Sequence, residues 1–205
     1  MKEAKDIVPE KFQALWEKCL PIFEECREGD REHALTGVKF MVNYKGDLNL
    51  DDDILIPVAI MHDIGHSAIL PEHFKYITGV KRVKNGKLAH MLIGAKIAHK
   101  LLTELGYDQK QVDEIVDIIS MHDIDQLDIE DARLMYDSEN KKIFHDIDSL
   151  DRYEEKRLKS FSPNPKDMEK ALALVEKMLD TFFYSEFKAL ASANLEKIKA
   201  SLGLS

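Results

Sequence analysis

The chain has 205 residues, with 38 acidic against 29 basic side chains and a formal net charge of -9. That balance excludes a surface built to coat nucleic acid, which needs clustered cations to neutralise phosphates, though it leaves room for a local basic site. No apolar run approaches the roughly 20 residues of a membrane span, and Met1-Lys2-Glu3-Ala4-Lys5-Asp6 lacks the apolar core of a signal peptide, so a cytoplasmic protein with no membrane partner is expected.

The pattern along the chain is helical. Residues 9 to 28 open on Pro9 and repeat Phe12, Leu15, Trp16, Cys19, Leu20 and Phe23 at steps of three and four, with Pro21 expected to kink or shorten the helix. Read on that helix, Cys19 and Cys26 lie two turns apart, about 10 Å along the axis. They cannot pair, and they read as small buried hydrophobes in a reducing compartment. A second helix is expected from Arg31 to Tyr44, with His33, Gly37, Phe40 and Met41 on one face, and a turn at Lys45-Gly46-Asp47-Leu48-Asn49. Asp51, Asp52 and Asp53 supply a cap and favourable charge for a third, ending near Asp63; its apolar run Ile54 to Met61 fits a buried strand equally on local grounds, and the helical surroundings decide.

Between Ile64 and Lys87 no period is visible, Pro71, Gly79 and Gly86 interrupt, and Lys75, Lys81, Arg82, Lys84 and Lys87 make the stretch cationic. A long connection is expected, either a solvated loop or a lid that collects an anionic substrate, with Lys81 and Arg82 as its candidate contacts. From about Leu88, His90, Ile93, Gly94, Ile97 and Leu101 form one stripe that Gly106 ends. Asp108 caps a helix with Val112, Ile115, Ile119 and His122 aligned, loosened by the acidic run Asp123 to Asp131. Ile143 to Lys159 reads as one helix with Phe144, Ile147, Asp148 and Asp151 on a side. Ser162-Pro163-Asn164-Pro165 breaks the chain, and Lys166 to Leu202 reads as helix whose stripe is Ala171, Leu174, Val175, Met178, Phe182 and Phe183. The expected organisation is a domain over 1-160 with C-terminal helices over 161-205 packed on it. No repeat or low-complexity tract is apparent.

The intervals between candidate ligands are regular: 29 residues from His33 to His62, 28 to His90, 32 to His122 and 26 to Asp148. Each is about a helix plus a connection, and each candidate falls on an apolar stripe. One histidine there is ordinarily a hydrogen-bonded core residue; five such coincidences on successive helices call for a different account, because buried imidazoles and carboxylates are costly unless paired or metal-bound. A set of imidazoles and carboxylates without thiolate suits manganese or iron, with nickel, cobalt or magnesium as further options. Six groups suit two divalent ions about 3.5–4 Å apart, bridged by a carboxylate and by a water or hydroxide able to attack phosphorus.

His33, His62-Asp63 and Asp148 resemble the H…HD…D signature of the HD-domain superfamily over roughly residues 20 to 155. The resemblance implies an all-α HD-domain helical bundle with a C-terminal helical extension. It also implies metal-dependent hydrolysis of nucleotides, cyclic dinucleotides or other phosphate esters, with His33, His62, Asp63 and Asp148 as ligands of a first metal. His90 and His122 resemble the second-metal ligands of the binuclear branch, with Asp63 bridging. The chain departs from the HD-GYP phosphodiesterases, carrying His122-Asp123 where those have a histidine pair, His66 where those have lysine, and no GYP element.

Asp146 is the alternative to Asp148 as last ligand, and Ile147-Asp148-Ser149-Leu150 aligns better with the superfamily's Ala-Asp-x-Leu pattern. His145 and Asp151 read as supporting or surface groups, Arg152, Lys156 and Arg157 as surface charges, and His73 and His99 as bystanders. His66, one turn after His62, is a candidate to protonate the leaving oxygen or bind a phosphate oxygen, alongside Asp63; the competing reading is a turn-capping histidine. The functional expectation is a phosphohydrolase acting on a small phosphorylated substrate through a metal-activated hydroxide. The alternatives are a di-iron oxygenase of the same superfamily acting on a polyol or phosphonate, and a non-catalytic ligand-sensing domain. Oligomeric state is left open.

Overall fold

A computed structural model describes residues 6–70, 72, 79–161 and 165–203. Among the described residues the regular structure is helical throughout, and the chain divides into two compact units, 1–144 and 145–205. The expected all-α class holds.

The first unit holds α1 (Gln13–Phe23), α2 (Asp30–Asn43), α3 (Asp52–Met61), α4 (Gly79–Glu104) and α5 (Gln109–Met121), and the start of α6 (Glu139–Leu150). Short 3-10 turns follow α3 at Ile64–Ala68 and α5 at Ile124–Leu127. α3 is the axis of this unit. Every residue from Ile54 to Met61 is buried, which is why its sequence shows a continuous apolar run instead of a 3.6-residue stripe. It packs against α1, α2 and α5, while α4 packs on α5 and on the turn Ile64–Ala68. The Asp51 side chain accepts from the Asp53 N–H and Asp108 from the Lys110 N–H, so both expected N-caps form.

Pro21 falls in the last turn of α1, whose helix stops at Phe23. Cys26 therefore lies beyond the helix, correcting the two-turn placement, and its thiol donates to the Ile64 carbonyl at 3.7 Å. Both cysteines are free; burial pushes the Cys19 thiol up to about 12 and the Cys26 thiol up to about 11, so neither is poised as a nucleophile. In α2 the buried stripe is Asp30, Ala34, Val38 and Met41, one position off the expected face except at Met41.

α4 overturns the expected connection from Ile64 to Lys87. It begins at Gly79, two and a half turns before Leu88, and takes in Lys81, Arg82, Lys84 and Lys87. Lysine and arginine are good helix formers, but the first turns carry no apolar stripe and hold Gly86, which masks the period. Lys75 and His73 lie outside the described residues. At the other end of α4 the chain closes as expected on Gly106, at φ +75: its N–H meets the Thr103 carbonyl at 3.1 Å and the Tyr107 N–H meets Leu102 at 3.1 Å.

The second unit comprises the end of α6, α7 (Glu155–Phe161), α8 (Pro165–Met178) and α9 (Ser185–Ser201). The expected single helix from Ile143 to Lys159 is instead α6, starting four residues earlier, a 3-10 turn at Asp151–Tyr153, and α7. The expected continuous helix to Leu202 is likewise divided by the segment between α8 and α9. The buried face of α8 is Met168, Leu172 and Val175, and Leu174 is 60% exposed, which displaces the expected stripe. The Tyr153 hydroxyl donates to the Val175 carbonyl at 2.8 Å and its ring lies on Phe182, tying the turn to this face.

Candidate metal centre

Two helices of the first unit end in the same four residues. Met61-His62-Asp63-Ile64 closes α3 and Met121-His122-Asp123-Ile124 closes α5, each followed by a 3-10 turn. Each histidine sits at the helix C-cap, with Nδ1 on the carbonyl three residues back: His62 on Ala59 at 3.1 Å and His122 on Ile119 at 2.9 Å. A carbonyl can only accept, so Nδ1 carries the proton in both rings and the Nε2 lone pairs point away from the helices. The Tyr136 hydroxyl holds the His122 carbonyl at 3.0 Å.

Asp63 is the meeting point. Its Oδ2 lies 3.6 Å from His62 Nε2, and its Oδ1 lies 3.4 Å from His66 Nε2, 3.5 Å from His90 Nε2 and 3.8 Å from His122 Nε2. His90, one face of α4, turns its own Nε2 to within 3.1 Å of His122 Nε2. The His33 ring stands edge-on to His62 at 4.9 Å, and His66 stacks on His90 at 4.3 Å and 11°. Phe144 packs on His62 at 5.3 Å and walls this side of the cluster.

Gly65 makes the approach of α4 possible. A Cβ at that position would lie 2.0 Å from the His90 carbonyl oxygen and 2.6 Å from the Gly94 N, so the turn after α3 and the middle of α4 touch backbone to backbone. Gly94 faces the same contact with more room: a Cβ there would lie 3.4 Å from the His62 carbonyl oxygen and from the Gly65 N.

The donor set is rich in acceptors. His62 and His122 present lone pairs toward the Asp63 carboxylate, an arrangement that repels itself unless a cation or proton sits among them. Three groups of side chains in this unit bring ligand atoms within 4.8 Å of one another: His62, Asp63 and His122; Asp63, His66 and His90; His90, His122 and Asp123. Burial would raise the Asp63 carboxyl, but the imidazoles of His62, His122 and His66, where they carry the proton that sits among them, outweigh it and hold it well below the usual carboxylate range. Burial, reinforced by His122, pushes His90 down to about 3, so it is neutral and able to ligate at neutral pH. These residues fit a divalent metal.

The comparison with protein families matches the HD domain over residues 31–153, more than half of the sequence. The chain belongs to the HD domain family. Membership places this HD domain in a superfamily of metal-dependent hydrolases that bind divalent metals, and the acceptor-rich cluster fits that chemistry. Neither a comparison with curated proteins nor one with solved structures finds a match. No described helix of the HD domain is long and apolar enough to cross a membrane.

Of the residues singled out in the sequence, the first unit brings together His33, His62, Asp63, His66, His90 and His122. Asp148 follows Phe144 by one turn on α6 and is half-buried, with Arg152 Nη2 3.8 Å from its Oδ2. Asp146 is wholly buried and otherwise engaged: it accepts the N–H groups of Phe183 at 3.0 Å and Tyr184 at 2.8 Å, ahead of α9, and His145 Nδ1 at 2.9 Å. Lys81 and Arg82 are exposed on the opening turns of α4, about 12 Å or more along the axis before His90 at about 1.5 Å per residue.

Three residues beside the cluster were not singled out as site candidates in the sequence. Asp123 is buried with its Oδ2 3.9 Å from His90 Nε2, and the second Met-His-Asp-Ile was the available signal. Lys87, one turn before His90, binds Asp123 Oδ2 at 2.8 Å. Arg27, before α2, reaches Asp63 Oδ2 at 3.2 Å. Nothing in local sequence marks Arg27, whose role depends on the fold.

Proposed function

We propose that this HD domain is a metal-dependent phosphohydrolase that cleaves a small phosphate ester or nucleotide. The proposed ligand set is His33, His62, Asp63 and Asp148 for one divalent ion, and Asp63, His90 and His122 for a second, manganese or iron. The observation that carries the reading is the convergence of the His62, His90 and His122 Nε2 atoms on Asp63 within 3.5 to 3.8 Å, all four side chains being buried.

When bound, the cations supply Lewis-acid stabilisation of phosphoryl oxygens and acidify water. The chain's own groups do the rest. Asp63 is held ionised and the Nδ1–carbonyl bonds lock the His62 and His122 tautomers, so the donor array needs no rearrangement as charge develops. Phe144 excludes water from one side. His66, 11% exposed and stacked on His90, is set to give a proton to the leaving oxygen. Two cationic side chains, Arg27 and Lys87, sit on the carboxylates of the cluster and favour an anionic substrate.

Purified protein should be stripped with chelator, reloaded with manganese or iron, and assayed on a panel of phosphomonoesters and nucleotides. Phosphate release that returns with metal and is lost in His62→Ala supports the reading. Turnover of a polyol or phosphonate that requires dioxygen would replace it with the oxygenase chemistry of the same superfamily.

A further inference from the structure

Arg27 lies between α1 and α2, just ahead of Gly29, and is fixed from two sides. Asp30 grips one edge: Nε lies 3.2 Å from both carboxylate oxygens, Nη2 lies 2.9 Å from Oδ1, and the Arg27 backbone N–H donates to Oδ2 at 3.1 Å. Asp30 is only 2% exposed, so the anchor is a buried carboxylate that depends on this guanidinium for compensation. The same Nη2 extends to Asp63 Oδ2 at 3.2 Å, at the centre of the proposed metal site.

A guanidinium has five N–H donors. The one on Nε and the two on Nη2 are taken by Asp30 and Asp63; the two on Nη1 meet no acceptor among the described residues. Despite the double anchorage the side chain is 56% exposed. The result is a pre-oriented, partly exposed cation with two uncommitted donors beside the Asp63 carboxylate.

Holding Asp30 requires only the engaged edge, and that could be buried. Neutralising Asp63 is no benefit either, since a proton donor on Oδ2 weakens that oxygen as a metal ligand. What the geometry offers beyond both is a planar pair of donors held next to the residues of the proposed metal site, the arrangement that suits a tetrahedral oxyanion. Lysine, a flexible point charge, could not be held by Asp30 in this way.

We propose that Arg27 is a substrate-binding residue whose Nη1 N–H groups receive a non-bridging oxygen of the phosphate to be cleaved. This rests on the phosphohydrolase reading above and specifies its substrate as one with an exposed, anionic phosphate at the scissile end.

The test titrates inorganic phosphate by calorimetry into manganese-loaded wild type, Arg27→Gln and Arg27→Lys, with metal content measured on the same preparations. Expected are phosphate binding weakened about tenfold or more in R27Q and less in R27K, metal content unchanged, and a raised KM for any phosphoester that turns over. Phosphate affinity insensitive to Arg27 would overturn the inference alone, as would a loss of metal that accounts for the whole loss of phosphate. Absence of phosphate binding to loaded wild type would overturn the inference together with the reading beneath it. Should R27Q misfold because Asp30 is stranded, the comparison becomes Asp30→Asn against Asp30→Asn/Arg27→Gln, in which the buried charge is gone and the same difference in phosphate affinity is expected.

Discussion

His90 Nε2 and His122 Nε2 stand 3.1 Å apart in the interior of the first unit, and the His122 Nδ1 proton is already committed to the Ile119 carbonyl. Two imidazole lone pairs at that separation are stable only around a proton or a cation. Metal removal is therefore expected to destabilise the fold. A ligand at 100 times its Kd contributes about 2.7 kcal/mol, which at this chain length is on the order of 5–10 °C in melting temperature. Melting curves with chelator and with manganese should differ by about that much in wild type, and the difference should shrink sharply in His122→Ala. A wild-type melting point indifferent to metal would refute the placement of a cation between these rings.

Acid should act on the metal-free protein through His90. Its folded-state pKa is pushed down to about 3, against about 6.5 in an unfolded chain. Between those values the unfolded state binds a proton that the folded state refuses, so stability is full above about pH 6.5 and falls as pH drops, at about 1.4 kcal/mol per pH unit for this one group. Asp63 acts later in the same direction: its depressed carboxyl contributes stability that is present above the unfolded carboxylate pKa and is lost as pH falls through its lower folded value. Urea titrations from pH 8 to pH 4 should show a plateau and then a decline, and His90→Gln should flatten the part between pH 6.5 and 5. An unchanged slope in that variant would assign the effect to other buried groups.

Gly65→Ala should be among the most damaging single substitutions. The added methyl would meet the His90 carbonyl at 2.0 Å and the Gly94 N at 2.6 Å, and backbone atoms in the middle of a 26-residue helix cannot step aside. A cost of about 3 kcal/mol or more is expected, toward the upper end for overpacking. Because the clash pushes α4 away from the turn that carries Asp63 and His66, metal content should fall as well. Gly86→Ala makes the contrast: nothing lies within 4 Å of its Cβ position, and removing a helix-interior glycine should stabilise by about 0.5–1 kcal/mol. Chemical denaturation of the two variants decides the matter.

What could be read from sequence divides along the range of the forces involved. Capping is local, so Asp51 and Asp108 announced the starts of α3 and α5 correctly, and Gly106 the end of α4. The histidines were legible because an imidazole on an apolar stripe is expensive wherever it occurs. The start of α4 was not, because its opening turns are held in helix by residues such as Lys84 and Lys87 that pair with Asp128 and Asp123, 44 and 36 residues away. The start of α6 was hidden by its polar first turn, although Ser138 Oγ accepts the Lys141 N–H at 3.2 Å as an N-cap would. Gly65 could be seen as part of a motif but not as the contact that seats α4, which exists only once two distant segments meet. Arg27 belongs to the same class: its partners Asp30 and Asp63 are 3 and 36 positions away, and only folding places it between them.

Asp146 and Asp148 are two residues apart on α6, and the two carboxylates should separate stability from metal binding. Asp146 is wholly buried and accepts two backbone N–H groups ahead of α9 and His145 Nδ1, all within the second unit. Charge-assisted bonds of this kind are worth about 1.5–3 kcal/mol each, and losing the acceptor strands buried donors. Asp146→Ala should therefore lower stability by about 3 kcal/mol or more while the folded fraction still loads metal. Asp148 is the proposed ligand, and Asp148→Asn keeps the size and polarity of the side chain, so it should leave the metal-free stability within about 1 kcal/mol of wild type and reduce metal content per chain. Elemental analysis and melting of the two variants side by side give the answer. The opposite pattern, metal lost in D146A and retained in D148N, would move the last ligand of the family motif to Asp146 and require α9 to give up its carboxylate.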